Sequence, residues 1–359
     1  MRPIRATIRQ GAWRHNLAAA RKWAPGSKVM AVIKANGYGH GALRAAKSLS
    51  DADAFAVASI DEAQHLRRAG VDKSILVLEG AFTAEEWLVA NQLHIDMVIH
   101  QSRQLDWLEQ ASLASPQGVW LKVDTGMHRL GMQPSEVQGA IYRLDKCPSI
   151  RKPLVMMSHL ASADLVNSSD NSQQLNTFRR VIDGLSVGAS MANSAAVIGL
   201  PETHFNWVRP GIMLYGISPI SGTSGLELGL QPVMTLESEV IALRKIAAGE
   251  TVGYCSEWRA AKASTIATVA VGYGDGYPRH APSGTPVWIN GSCYPLVGRV
   301  SMDMITVDVT AATETVSVGA PVVLWGEELP IETVAEMAGT IGYELVCQVT
   351  QRVPMVEVS

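Results

Sequence analysis

Cysteine is scarce in this chain of 359 residues: four thiols, at Cys147, Cys255, Cys293 and Cys347, lie far apart with no C-x-x-C pair. That spacing suggests neither a zinc knuckle nor a disulfide framework. Long apolar runs are missing as well; stretches such as Ala54–Ile60 are far too short to cross a bilayer. No sign of charge dominates, with 30 basic against 33 acidic residues and a net charge of −3, so neither nucleic acid nor a membrane is an expected partner. The first twenty-odd residues carry Arg2, Arg5, Arg9, Arg14 and Arg21 without an apolar core between them, unlike a secretory signal. There is no G-x-S-x-G elbow, no P-loop and no clustered metal-ligand spacing. What is present, 47% hydrophobic and 18% charged residues, is ordinary globular composition. A soluble cytoplasmic enzyme is the expectation.

To about residue 216, short apolar runs alternate with amphipathic segments. The runs fall at 29–33, 54–57, 75–78, 95–99, 119–123, 154–158, 187–192 and 212–215, several continuously apolar as in strands covered on both faces. Helical patterns lie between them, for example at 59–70, 102–112 and 171–185, with start signals such as Thr83 before Glu86 and Ser135 after Pro134. Eight such units predict an α/β fold, a (β/α)8 TIM-type barrel over residues 1–230. From 231 to 359 short β-like runs punctuated by Gly and Pro predict a mainly β C-terminal domain, with one helix near 331–342.

In such a barrel the functional groups lie at the C-terminal ends of the strands. Lys34 follows the first predicted strand, Lys122 and Arg129 end and follow the fifth, and His159 follows the sixth. Asn193 and Ser194 follow the seventh, while Arg209, Pro210 and Gly211 lead into the predicted eighth. A lysine desolvated at a strand mouth becomes a nucleophile, although an isolated strand-end lysine more often reaches solvent. Arg129 suits a carboxylate or phosphate, or simply a helix surface. Lys122, if inward-pointing, needs Asp124 or another carboxylate. His159 alone reads equally as a packed histidine, and Asn193-Ser194 as an N-cap. Gly37-x-Gly39-x-x-Ala42 mimics a relaxed dinucleotide fingerprint, but eight strands with cationic ends fit an open dinucleotide-binding sheet poorly.

The segments KANGYGHG, KVDTGMHRLG, NWVRPGIMLYG, VGYGDGYPR and VGRVSMDM, in this order and completed by GYEL and RVP, resemble the alanine racemase family along essentially the whole chain. That resemblance implies pyridoxal 5′-phosphate as cofactor, held by Lys34 as an internal aldimine, and a homodimer with shared sites. Lys34 and Tyr254, the latter from the partner subunit, would be the two bases. Tyr38, Ser194, Gly211, Ile212 and Tyr343 would hold the phosphate beside Asn193. His159 would lie against the pyridine ring and orient Arg209. Arg129 and Met302 would bind the substrate carboxylate, and Lys122 would be carbamylated. The implied product is D-alanine, for peptidoglycan or alanine breakdown. A racemase of another or broader substrate range and a non-catalytic cofactor carrier are the alternatives. Gly37, Cys255 and Ser301 stand where the family more often has other small residues.

Overall fold

The computed structural model describes residues 2–312 and 316–358. The chain divides into two compact units, one of residues 16–214 with 219–221, the other of the remaining described residues. Among the described residues eighteen strands are numbered in chain order across both.

The first unit is a closed parallel barrel. Its strands are β2 (Lys28–Val32), β3 (Ala54–Val57), β4 (Ile75–Val77), β5 (Ile95–Ile99), β6 (Val119–Lys122), β7 (Val155–Met157), β8 (Gly188–Ser190) and β9 (Trp207–Val208). Each pairs with the next, and β9 closes on β2 through Lys28↔Trp207 and Val29↔Val208. Phe55, Ile75, Met97, Val98 and Leu121 are buried, as strands walled by barrel interior on one side and helices on the other require. Helix Ile60–Arg68 buries Ile60, Ala63 and Leu66 and leaves its charged face to solvent. Helix Ser169–Ile182 is capped by the Ser168 hydroxyl, which accepts from the Asp170 N–H at 3.3 Å. Thr83 and Ser135 provide no such cap; Glu86 and Glu136 instead reach back to the N–H groups of Phe82 and Gln133.

One strand assignment is corrected. Residues 212–215 form a single 3-10 turn, and the eighth barrel strand is β9, just upstream. Pro210 has no N–H for a ladder, and the Leu214 N–H closes onto the Gly211 carbonyl at 2.8 Å, so the apolar run after them coils. Arg209 consequently follows the eighth strand rather than leading into it, placing it at the C-terminal end with the other strand-end groups. The open dinucleotide-binding sheet is excluded by barrel closure.

The second unit is built on β10 (Met234–Ile246), a long strand with a register shift between Val240 and Ala242. Its first half pairs with β1 (Arg5–Arg9) and β17 (Pro321–Trp325), its second with β13 (Ser264–Val269). The sheet also takes in β14 (Pro286–Ile289), β15 (Ser292–Pro295), β16 (Ile305–Asp308) and β18 (Met355–Val358), the last parallel to β1. A separate ribbon joins β11 (Thr251–Val252) to β12 (Trp258–Arg259). Tyr277 stacks on Trp325 at 6.3 Å in the core. Among the described residues no helix is long and apolar enough to cross a membrane.

Candidate active site

Lys34 sits one residue beyond buried Ile33 at the end of β2, and the chain then turns left-handed: Ala35, Asn36, Gly37 and Tyr38 have φ of 52°, 52°, 62° and 49°. Three of these carry a Cβ, and each left-handed L-residue costs about 1–2 kcal/mol. The turn persists because it is tied from several sides. The Gly37 N–H donates to the Ile33 carbonyl and the Gly39 N–H to that of Ala35, both at 3.0 Å. The Asn36 side chain accepts from the Ala42 N–H at 3.0 Å. The Glu62 carboxylate accepts from the N–H groups of Ala35 at 2.7 Å and Ala58 at 2.8 Å, joining the lysine turn to the end of β3. Fully buried His40 donates Nδ1–H to the Tyr38 carbonyl at 2.8 Å, and burial lowers its pKa to about 4, keeping the ring neutral.

This turn brings Tyr38 over the segment after β9. A Cβ added to Gly211 would lie 2.4 Å from the Tyr38 hydroxyl oxygen. The Gly211 N–H donates to the Ser194 hydroxyl at 2.8 Å, and buried Ile212 follows. Asn193 is the N-cap of helix Ser194–Gly199, accepting from the Ala196 N–H at 3.1 Å. Tyr38, Ser194, Gly211 and Ile212 are thus gathered at one side of the barrel mouth.

The cations gather beside them. Arg209 is buried, and its guanidinium donates to the Ser190 hydroxyl at 2.5 Å and the Ser158 carbonyl at 2.6 Å, with the His159 Nδ1 at 3.4 Å. Burial lowers its pKa to about 10, so it remains protonated near neutrality. Desolvation, then the charges of Arg209, Lys122, Arg129 and Lys34, hold His159 well below its ordinary value. Lys122 is 7% exposed. Asp124 does not pair with it: that carboxylate accepts from the N–H groups of Gly126 and His128 and meets the His128 ring, all at 3.0 Å. Desolvation, with Arg209, Arg129 and Lys34 nearby, lowers the Lys122 pKa to about 8.

A stability effect follows from that depression. The unfolded chain holds the Lys122 proton more tightly than the folded one, so the penalty is full below about pH 8 and relieved as pH rises from there toward the ordinary lysine value. For the unmodified amine a shift of this size corresponds to about 3 kcal/mol. Lys122→Met is expected to raise the melting temperature of the cofactor-free protein at pH 7 and to remove the rise in stability between pH 8 and 10. Unchanged melting across that range would refute the buried-cation reading.

Arg129 is exposed in the loop after β6, and its charge still reaches Lys122 and His159. Tyr254, Met302 and Tyr343 belong to the β unit. Tyr254 is 66% and Met302 52% exposed, while Tyr343 is half-buried in helix Gly342–Gln348. The ribbon β11–β12 carries Tyr254 in a turn with Gly253, Cys255 and Ser256 all at positive φ.

Several contributing residues went unseen in the sequence. Ser158 and Ser190 hold Arg209, and Gln174 donates to the His159 carbonyl at 2.9 Å and the Thr125 hydroxyl at 3.2 Å, tying the loops after β6 and β7. The strand-end register that singled out His159 would also have found Ser158 and Ser190. Gln174 and Glu62 are helix residues with no comparable signal.

Known proteins align with both units. The family model for the alanine racemase N-terminal domain matches residues 8–219, and that for the C-terminal domain matches 233–357. An alanine racemase of Vibrio parahaemolyticus is 49% identical over 99% of both chains, and a biosynthetic alanine racemase of Escherichia coli K12 is 46% identical over the same shares. Among solved structures, the biosynthetic alanine racemase of Pseudomonas aeruginosa superposes with a TM-score of 0.97 at 46% identity, covering 100% of each chain. One from Bacillus anthracis, described with bound L-Ala-P, gives 0.86 at 30% identity over 100% of this chain and 96% of its own. With both halves and nearly every residue aligned to one group of isomerases, the chain belongs to the alanine racemase family.

Proposed function

We propose that the protein interconverts L- and D-alanine with pyridoxal 5′-phosphate, as a homodimer in which Lys34 of one subunit works with Tyr254 of the other. The observation that carries this reading is the cationic barrel mouth. Lys34, Lys122, Arg129 and Arg209 act together on His159, and none of the four forms an ion pair among the described residues. A cluster of like charge whose only carboxylate influence is Asp124, engaged with backbone N–H groups and His128, is costly unless an anionic guest completes it. A phosphate and a phenolic oxygen, followed by a substrate carboxylate, are guests of that kind.

Lys34 would hold the cofactor, with Tyr38, Ser194, Gly211, Ile212 and Tyr343 at its phosphate beside Asn193. When bound, the cofactor withdraws electrons from the substrate Cα and makes its proton removable. Lys34 would move that proton on one face and Tyr254 on the other, since inversion needs a proton carrier on each side. Arg129 and the Met302 backbone would orient the carboxylate. Arg209 would face the ring nitrogen with His159 beside it; a guanidinium donates a hydrogen bond but keeps its proton, which limits side reactions that need a protonated ring. With a pKa of about 8, part of the Lys122 population is a free amine, open to carbon dioxide. The resulting carbamate would release a proton and turn a buried cation into an anion facing Arg129.

D-alanine for peptidoglycan is the role that fits the biosynthetic designation of the Escherichia coli and Pseudomonas aeruginosa relatives, and a cytoplasmic location belongs to the same proposal. The test is circular dichroism of L-alanine incubated with protein and cofactor. Decay of the signal to zero at constant alanine concentration is expected. A persistent signal with folded, cofactor-loaded protein would overturn the assignment and direct the search to other amino acids.

Gly211→Ala provides a local check on the phosphate side. The new methyl would displace the Tyr38 hydroxyl at the far end of its side chain, and no backbone atom lies among the nearest contacts of that position. Pyridoxal 5′-phosphate affinity, titrated by absorbance, should fall roughly ten-fold with the fold retained. Unaltered affinity would remove Tyr38 and Gly211 from the phosphate site.

A further inference from the structure

The structure assigns Arg2, Asp275 and Arg352 as a positioning clamp for the Met302 loop, so that a residue at the very start of the chain sets the affinity for the substrate carboxylate. The inference rests on the proposed role of the Met302 backbone, and all its residues belong to the β unit.

Two loops meet backbone to backbone. The Tyr273 N–H donates to the Ser301 carbonyl at 3.0 Å and the Gly274 N–H to the Met302 carbonyl at 2.9 Å. A Cβ on Gly272 would lie 2.3 Å from the Ser301 oxygen and 2.4 Å from the Met302 oxygen, so no side chain fits there. Behind this contact is Asp275, with its side chain 0% exposed. Arg2 grips that carboxylate with both arms of its fork, at 2.6 and 2.9 Å, and the same fork donates to the Asp303 carbonyl at 2.8 Å. Arg352 approaches Asp275 at 3.4 Å and holds the Asp303 carboxylate at 2.5 Å. Asp275 also accepts from the Gly272 N–H at 3.0 Å.

The peptide after Met302 is therefore anchored through its neighbour's carbonyl and side chain, by arginines brought from opposite ends of the chain. Among the described residues the N–H groups of Met302 and Asp303 donate to nothing. Unused donors on an exposed loop held through the carbonyls of Ser301, Met302 and Asp303 are preorganised for an anion. Holding them costs nothing further when the ligand arrives, which is how a positioning network improves affinity. A bidentate, three-point grip of this shape is specific to a guanidinium.

The experiment uses the full chain and three variants: Arg2→Met, Arg2→Lys, and Arg9→Met as a control that removes the exposed pair with Glu327, elsewhere on the same unit. Arg2→Met should raise KM for L-alanine roughly ten-fold with kcat nearly unchanged. Hydrogen exchange of the cofactor-free protein should quicken in the peptide covering 300–304 and not across the β unit. Arg2→Lys keeps the charge beside Asp275 but cannot also reach the Asp303 carbonyl, so its KM should rise less. An unchanged KM in Arg2→Met, a KM change shared by Arg9→Met, or uniform acceleration of exchange overturns the clamp. If Arg2→Met does not fold, Arg2→Lys decides: KM and 300–304 exchange both at wild-type values overturn it. If wild-type protein fails to racemise alanine, the proposed function falls separately, and exchange at 300–304 still judges whether Arg2 holds the loop.

Discussion

Lys34→Ala is expected to give a folded protein without racemase activity and without the absorbance of bound cofactor. Lys34 is half-exposed and forms no ion pair among the described residues, so truncation strands no buried carboxylate and leaves the ties of the left-handed turn in place. The chemical loss should be severe because, on the proposed function, one amine would both anchor the cofactor and move the α-proton on one face. General base catalysis alone is worth about 10²–10⁴-fold, and losing the anchor as well should bring turnover below detection. Lys122 is the rival amine, already shifted to about 8 by its surroundings. Borohydride reduction followed by peptide mapping separates the two. Wild type should carry the reduced adduct on the peptide containing residue 34, and Lys34→Ala should carry none. An adduct on the Lys122 peptide of either protein would reverse the assignment.

The strand-end argument depended on reading each apolar run as a barrel strand. It put Lys34, Lys122, His159 and Asn193-Ser194 at strand ends, and in the structure they end or follow β2, β6, β7 and β8, although β7 and β8 are only three residues long. It slipped at β9. Two residues, Trp207 and Val208, are too few to display a period, whereas the apolar 212–215 segment imitates a strand although its hydrogen bonding is that of a 3-10 turn. Strand β1 was invisible for a different reason. In RATIR only Ala6 and Ile8 face the core, and the partners that make it a strand lie at 234–237 and 355–358, beyond any local pattern. The lysine turn defeats sequence reading too. Glycine at 37 permits a positive φ, but nothing local says that Ala35, Asn36 and Tyr38 adopt one as well; a carboxylate 27 residues on, Glu62, imposes part of it. Roles resting on the β unit, Tyr254 and Met302 among them, came from resemblance alone, for no periodicity distinguishes an exposed tyrosine in a glycine-rich turn from a functional one.

Tyr254→Phe should lower racemisation by about 10³-fold or more while leaving the protein folded and cofactor-loaded. The ring is 66% exposed on a turn fixed by the pairings Thr251↔Arg259 and Val252↔Trp258, so removing the hydroxyl disturbs no packing. On the proposed function what disappears is the proton carrier on one face, and the damage should be lopsided. If Tyr254 serves the face of L-alanine and Lys34 that of D-alanine, solvent exchange of the α-deuteron from L-alanine should collapse, while exchange from D-alanine should persist. Equal loss for both enantiomers would contradict a division of labour between two faces. Mixing subunits carries the same logic to the dimer. A hybrid of Lys34→Ala and Tyr254→Phe chains with shared sites holds one site lacking both groups and one that has both. Random exchange of equal amounts makes half the dimers hybrids, so about a quarter of wild-type activity should return. If activity stays absent after subunit exchange has been verified by mass, Lys34 and Tyr254 do not meet across a subunit boundary, and the exposure of Tyr254 needs another explanation.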